Sequence, residues 1–188
     1  KALCNDSCTE LQKLVQVCAN DGFFYLIDHG MPQETCDMVF NASHSFFMMP
    51  QQVKDGVHFR NTEFWPKLPG VRGYVSSCDE NVGPAASDLP ERKEAFDWAV
   101  DCPVVGQPFH GQNIWPQIAG FREALELYRE EVADISWQLL DAFSKAQGLH
   151  CSMYRNMCHD NMSWTRLTHY PSLEAGQEEA VKGINAHT

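Results

Sequence analysis

Missing from these 188 residues is any apolar run approaching the roughly 18 to 20 that a membrane-spanning helix requires. The opening stretch, Lys1 to Glu10, also lacks the apolar segment of a secretory signal. The expectation is a soluble, cytoplasmic protein without a membrane partner. Basic residues are scarce: 14 Lys and Arg stand against 25 Asp and Glu, for a formal charge of -11. No lysine or arginine cluster interrupts that field, which repels a phosphate backbone, so nucleic acid is not an expected partner. Among eight cysteines there is no Cys-x-x-Cys pair. Cys4 and Cys8 are close in sequence, yet no second close Cys/His pair completes a four-ligand zinc site. Scattered along a chain with no secretory signal, the cysteines read as free thiols. Internal repeats and low-complexity tracts are absent as well.

What is present is an ordinary globular composition, with 44% apolar and 21% charged residues, enough to build a packed core. The length suits one folding unit.

Local patterns divide the chain. Leu11, Leu14, Val15 and Cys18 recur at helical spacing after the capping candidates Asn5-Asp6-Ser7, and Gly22 can close the helix. Phe23 to Ile27 is a short apolar run between Gly22 and Gly30 that suits a buried strand. After Pro32 a second helix is predicted, with Cys36, Val39, Phe40, Ser43 and Phe47 on one side, ending before Pro50. Residues 56 to about 90, rich in Gly, Pro, Ser and Asp, read as a long loop-dominated segment. Glu94 to Val100 is a candidate strand. The clearest period in the chain follows: Ile118, Phe121, Leu125, Tyr128, Val132, Ile135, Leu139 and Ala142 alternate spacings of three and four. That stripe predicts a long core helix from about Pro116 to Gln147, stopped at Gly148. Ser163 to Tyr170 reads as a strand with Trp164, Arg166, Thr168 and Tyr170 on one face and Thr165, Leu167 and His169 on the other. A further strand begins within Gly183 to Thr188.

Several separated motifs then point one way. They are Asp21-Gly-Phe-Phe-Tyr-Leu-Ile-Asp-His-Gly30, Phe46-Phe47 before Met48-Met49-Pro50, Arg72-Gly73-Tyr74, and Lys93-Glu-Ala-Phe-Asp-Trp98. Beyond them come His110-Gly-Gln-Asn-Ile-Trp-Pro116, Gly120-Phe-Arg122, Leu167-Thr-His-Tyr-Pro171 and Gly183-Ile-Asn-Ala-His-Thr188. In this order and spacing they resemble the isopenicillin N synthase-like oxygenases, which use iron(II) and 2-oxoglutarate. The resemblance implies an α+β fold: a helical N-terminal region packed on the first strands of a truncated double-stranded β-helix, or jelly roll. Residues 1–115 resemble the N-terminal region, and residues 116–188 the long helix and first strands of the catalytic domain.

The same resemblance implies the site. His187-Thr188 matches the start of the family's His-x-Asp pair, which makes His187 the expected first iron ligand, with the aspartate, a second His and the Arg and Ser that grip 2-oxoglutarate expected beyond Thr188. An opening strand before the first helix is also missing from the match. A facial triad of two His and one carboxylate leaves adjacent iron positions open for 2-oxoglutarate and molecular oxygen. Tyr170 resembles the tyrosine whose hydroxyl holds a carboxylate, of 2-oxoglutarate in some members and of substrate in others. Thr168 stands where several members have Asn. Arg72 and Tyr74 are candidates either for the substrate mouth or for anchoring a loop. Lys93, Glu94 and Asp97 read as packing and turn chemistry, and the remaining histidines as structural or exposed. No residue stands out as a catalytic acid or base. The implied function is oxidation of a small organic substrate, by hydroxylation or desaturation, with the isolated chain expected to be inactive. Two alternatives stand beside it: a non-catalytic remnant or interaction module of the same fold, and an oxidase of the family that needs no 2-oxoglutarate.

Overall fold

The structure is a computed structural model, and it describes residues 8–61, 72–77, 79, 92–101, 111–158 and 163–173. The mixed α+β class is as expected: helices α1 (Cys8–Asn20), α2 (Gln33–Phe47), α3 (Gln51–Gly56), α4 (Phe121–Ala146) and α5 (Met153–Met157), with strands β1 (Gly73–Val75), β2 (Glu94–Ala99) and β3 (Trp164–His169). Among the described residues no helix is long and apolar enough to cross a membrane. Chain contacts group into two compact units, residues 1–40 with 123–161, and residues 41–122 with 162–188.

In the first unit, α1 buries Leu14 while Val15 and Cys18 lie outside. It ends where the amides of Asp21 and Gly22 both reach the Val17 carbonyl, with Gly22 at φ +80, the left-handed stop expected of a glycine. In α4 the ends of the apolar stripe are buried, through Ala124, Leu125 and Ala142, whereas Tyr128, Val132, Ile135 and Leu139 in its middle are only half-buried. Gly148 at φ +71 closes it, and the Leu149 amide returns to the Ser144 carbonyl at 2.9 Å. The next turn is tied back by Arg155, whose guanidinium meets both oxygens of Asp141 at 3.1 and 2.6 Å and lies over the Trp137 ring.

One expectation fails here. Phe23 to Ile27 is not a strand, and Phe23, Tyr25 and Ile27 are 77, 94 and 78% exposed. The run has strand composition, but a strand exists only when a neighbour supplies the ladder, and no described residue pairs with it. Phe40 is likewise exposed rather than buried. The inward stripe of α2 runs through Thr35, Val39, Ala42 and Phe46, a three-and-four spacing that leaves Phe40 one position off the face.

The second unit is built on the antiparallel sheet β1-β2-β3. Tyr74 stands opposite Phe96, and Phe96 opposite Leu167. All six residues of β2 are buried, as befits a central strand covered on both sides. Its Phe96 ring meets Phe46 at 5.0 Å and Phe121 at 5.1 Å, and Phe46 meets Phe121 at 5.3 Å. This aromatic cluster covers one face of the sheet, and Phe59, Val75 and Ala95 form a smaller apolar group. The segment expected to be loop-dominated therefore follows α3 and contains a short 3-10 helix at Phe59–Asn61 and β1. Short elements of three to six residues leave no periodic trace in a sequence rich in turn formers.

Candidate functional site

β3 leads directly into Tyr170, one of the residues that the resemblance singles out, and its placement begins with β2. Six residues of each strand pair without a break, Glu94 with His169 through Ala99 with Trp164. Directly opposed residues share a face, so Glu94, Phe96 and Trp98 lie with His169, Leu167 and Thr165. Ala95, Asp97 and Ala99 lie with Thr168, Arg166 and Trp164.

Each face holds a buried carboxylate paired with β3. On the first, Glu94 is the node of a network: Lys54 Nζ donates to Oε2 at 2.6 Å, the Tyr74 hydroxyl donates to Oε2 at 2.7 Å, and the His169 ring bonds Oε1 through Nδ1 at 2.8 Å. Gln51 adds a bond to the Tyr74 hydroxyl at 3.2 Å, and the His169 ring stacks on Phe47 at 5.0 Å. Burial by itself would raise the Glu94 pKa, but the hydrogen bonds from Lys54, Tyr74 and His169 outweigh it and hold the carboxyl below its usual range. Tyr74 moves the other way. Its burial, and then its bond to the Glu94 carboxylate, push the phenol well above its ordinary value.

On the second face Asp97, fully buried, accepts from Arg166 Nε at 2.7 Å and Nη2 at 2.8 Å. This is the forked geometry that makes Arg–carboxylate pairs directional. The same guanidinium lies 5.1 Å from the centre of the half-exposed Trp164 ring.

The exit of β2 is clipped by Asn113. Its side chain exchanges two bonds with the Ala99 backbone, at 3.0 and 2.8 Å, and its Nδ2 also donates to Asp101 at 2.8 Å. Arg72 is buried and donates to the Val100 carbonyl and to Asn113 Oδ1. The bonds of Arg72 and Tyr74 in this unit are of the loop-anchoring kind. Beside this clip is a cavity of about 310 Å³ lined by Asp101, Gln112, Asn113, Trp115 and Arg122.

Of the expected site residues, Tyr170 follows directly on β3 and is 50% exposed. Strand alternation assigns it to the face of Thr168, which is exposed, and Arg166. Its exposed phenol suits the chemistry of a carboxylate contact. His187 lies outside the described residues. Among the described residues no group of three His, Cys, Asp or Glu stands close enough to hold a metal ion, so these residues do not make an iron site by themselves. Cys18, Cys36, Cys151 and Cys158 are free thiols. The first unit has a groove of about 870 Å³ against Leu14, Val17, Phe24, Leu26, Ile135 and Leu139. Its walls are mostly apolar, and Tyr170 is not among them.

The expected structural roles of Glu94, Asp97 and His169 take the form of specific cross-strand pairs. The usable signal was two acids spaced by three within an otherwise apolar strand, and an Arg and a His with the same spacing in the strand that pairs with it.

Comparison with known proteins agrees with the motif order. Residues 3–118 match the family described as non-haem dioxygenase in morphine synthesis N-terminal. A 2-oxoglutarate-dependent dioxygenase of Didymella fabae is 30% identical over 92% of this chain and 54% of its own length. A homoarginine-6-hydroxylase of Arabidopsis thaliana is 29% identical over 95% of this chain and 53% of its own length. The chain spans about half the length of the curated relatives it matches. Among solved structures, a 2OG-Fe(II) oxygenase family protein from Caulobacter crescentus superposes with a TM-score of 0.75 at 22% identity, covering 92% of this chain and 54% of that one. A full-length Neurospora crassa protein solved in complex with alpha-KG gives 0.72 at 22% identity, covering 89% and 50%. At such identities the superpositions establish the fold.

Proposed function

This chain belongs to the non-haem, iron(II)- and 2-oxoglutarate-dependent dioxygenase family, and on that premise we propose that the polypeptide to which it contributes oxidises a small organic molecule by hydroxylation or desaturation. The observation that carries the reading is the family match across residues 3–118, more than half of the chain. Within the proposal, residues 1–115 are the N-terminal region, and residues 116–188 are the long helix and first strands of the catalytic domain.

His187 is proposed as one iron ligand. A single imidazole neither fixes geometry nor competes well with water for iron(II), so the 188-residue chain alone is expected to be inactive. Iron and 2-oxoglutarate, when bound, supply the oxygen-activating chemistry, with 2-oxoglutarate leaving as succinate and carbon dioxide while the substrate is oxidised. The contribution of this chain's own residues is positional. Tyr170 donates its hydroxyl to a carboxylate, that of 2-oxoglutarate, and a charge-assisted bond of this kind is stronger than a neutral one. Asp97 takes up the Arg166 charge at 2.7 and 2.8 Å, so this guanidinium serves the strand before it serves a ligand.

The test is to express the complete gene product and follow iron-dependent conversion of 2-oxoglutarate to succinate against a panel of small organic substrates. Substrate-stimulated succinate formation supports the proposal. A complete, folded, iron-loaded protein that consumes no 2-oxoglutarate with any of them, and none uncoupled, overturns it.

A further inference from the structure

β3 is held from both faces by side chains paired to buried carboxylates. Arg166 is forked onto Asp97 on one side, and His169 is bonded to Glu94 at 2.8 Å on the other. Each partner sits directly opposite in the ladder. Side chains alternate with period two, so a slip of one residue would turn Tyr170 to the opposite face. The slip would also part the buried Asp97 from the Arg166 guanidinium and break the His169–Glu94 bond, and an uncompensated Asp97 charge is not tolerated in a sheet interior.

The two clamps differ in position. His169 is the last residue of the β2–β3 ladder, and the chain leaves the sheet at Tyr170-Pro171. Proline has no amide to extend the pairing. The bond from Nδ1 of His169 is therefore the final restraint before Tyr170 in the described chain. It is well founded: Glu94 is itself fixed by Lys54 at 2.6 Å and Tyr74 at 2.7 Å, and the imidazole is seated on the Phe47 ring.

We propose that His169 is a positioning residue for Tyr170, fixing the end of β3 through its Nδ1–H bond to Glu94 so that the phenol meets a carboxylate of 2-oxoglutarate. The inference rests on the reading of Tyr170 given above. His169 touches neither co-substrate nor substrate and acts through its neighbour.

The experiment uses the complete enzyme and two readouts: the dissociation constant for 2-oxoglutarate by calorimetry without oxygen, and the KM for 2-oxoglutarate against kcat. His169→Phe keeps an aromatic ring on Phe47 and removes the donor. His169→Asn returns a donor near the Nδ1 position. Groups one layer behind a ligand commonly tune affinity by about tenfold. His169→Phe is thus expected to weaken 2-oxoglutarate binding and raise its KM by about tenfold, with kcat at saturation little changed, and His169→Asn to restore both. Tyr170→Phe separates the layers. If Tyr170→Phe weakens binding and His169→Phe does not, the positioning role falls alone; if Tyr170→Phe leaves binding unchanged, the underlying reading falls. Should His169→Phe not fold, His169→Gln, whose amide stands further out than Nδ1, takes its place with the same expectation and the same overturning result.

Discussion

Gly73 has no room for a side chain. It sits at φ +109, and a Cβ there would overlap the Val57 carbonyl oxygen, to which the Tyr74 amide donates at 2.8 Å. Backbone, not a flexible side chain, is what would have to yield. Gly73→Ala is expected to lower unfolding free energy by about 2 to 3 kcal/mol, read as a shift in the urea midpoint at unchanged slope. Acid is the second test at this scale. Glu94 and Asp79 are both held below their usual values: burial opposes this in each, while bonds from Lys54, Tyr74 and His169 in one, and from Ser76 and His58 in the other, prevail. A depressed folded pKa means the unfolded chain takes up the proton first. The stability from these groups is therefore complete above the unfolded values of 4.5 and 3.8, and is lost as pH falls toward the depressed folded values. Urea midpoints measured from pH 7 down to pH 3 should hold level and then fall below about pH 4.5, and Glu94→Gln should flatten part of that fall.

At the scale of elements, legibility followed the range of the interaction. The long helix could be read because its stripe repeats over 26 residues, and periodicity is a local property of the chain. β2 and β3 were found within a residue of their ends, since aromatic and β-branched runs mark strands. The run at 23–27 carries the same marks, yet the pairing that makes a strand is not local, and no described residue supplies it. Charge was hidden for a similar reason. Glu94 and Asp97 can be read as packing and turn residues, but their partners appear only when the ladder sets His169 and Arg166 opposite them. His187, the ligand read from resemblance, lies outside the described residues. The uncovered apolar elements make a prediction for the isolated chain: exposed Tyr25 and Ile27, with the half-buried middle of α4, should bind hydrophobic dyes and promote aggregation. Tyr25→Ser with Ile27→Ser should reduce dye fluorescence while changing stability by less than about 0.5 kcal/mol, because neither side chain is packed. A dye-silent wild-type chain that melts cooperatively as a soluble monomer would contradict this.

For the whole molecule, the proposed reading divides labour between this chain and the further ligands of a complete enzyme. This chain contributes a sheet whose register is locked by buried charge, presents Tyr170 at its end, and, in the proposed reading, offers His187 to a metal that two further ligands must complete. The most direct measurement is the iron content of the complete polypeptide, purified without oxygen, in wild type and in His187→Ala. Near-stoichiometric iron in the wild type, lost in a variant that keeps its fold by circular dichroism, is the predicted result. A folded His187→Ala protein that retains the wild-type iron content would contradict it.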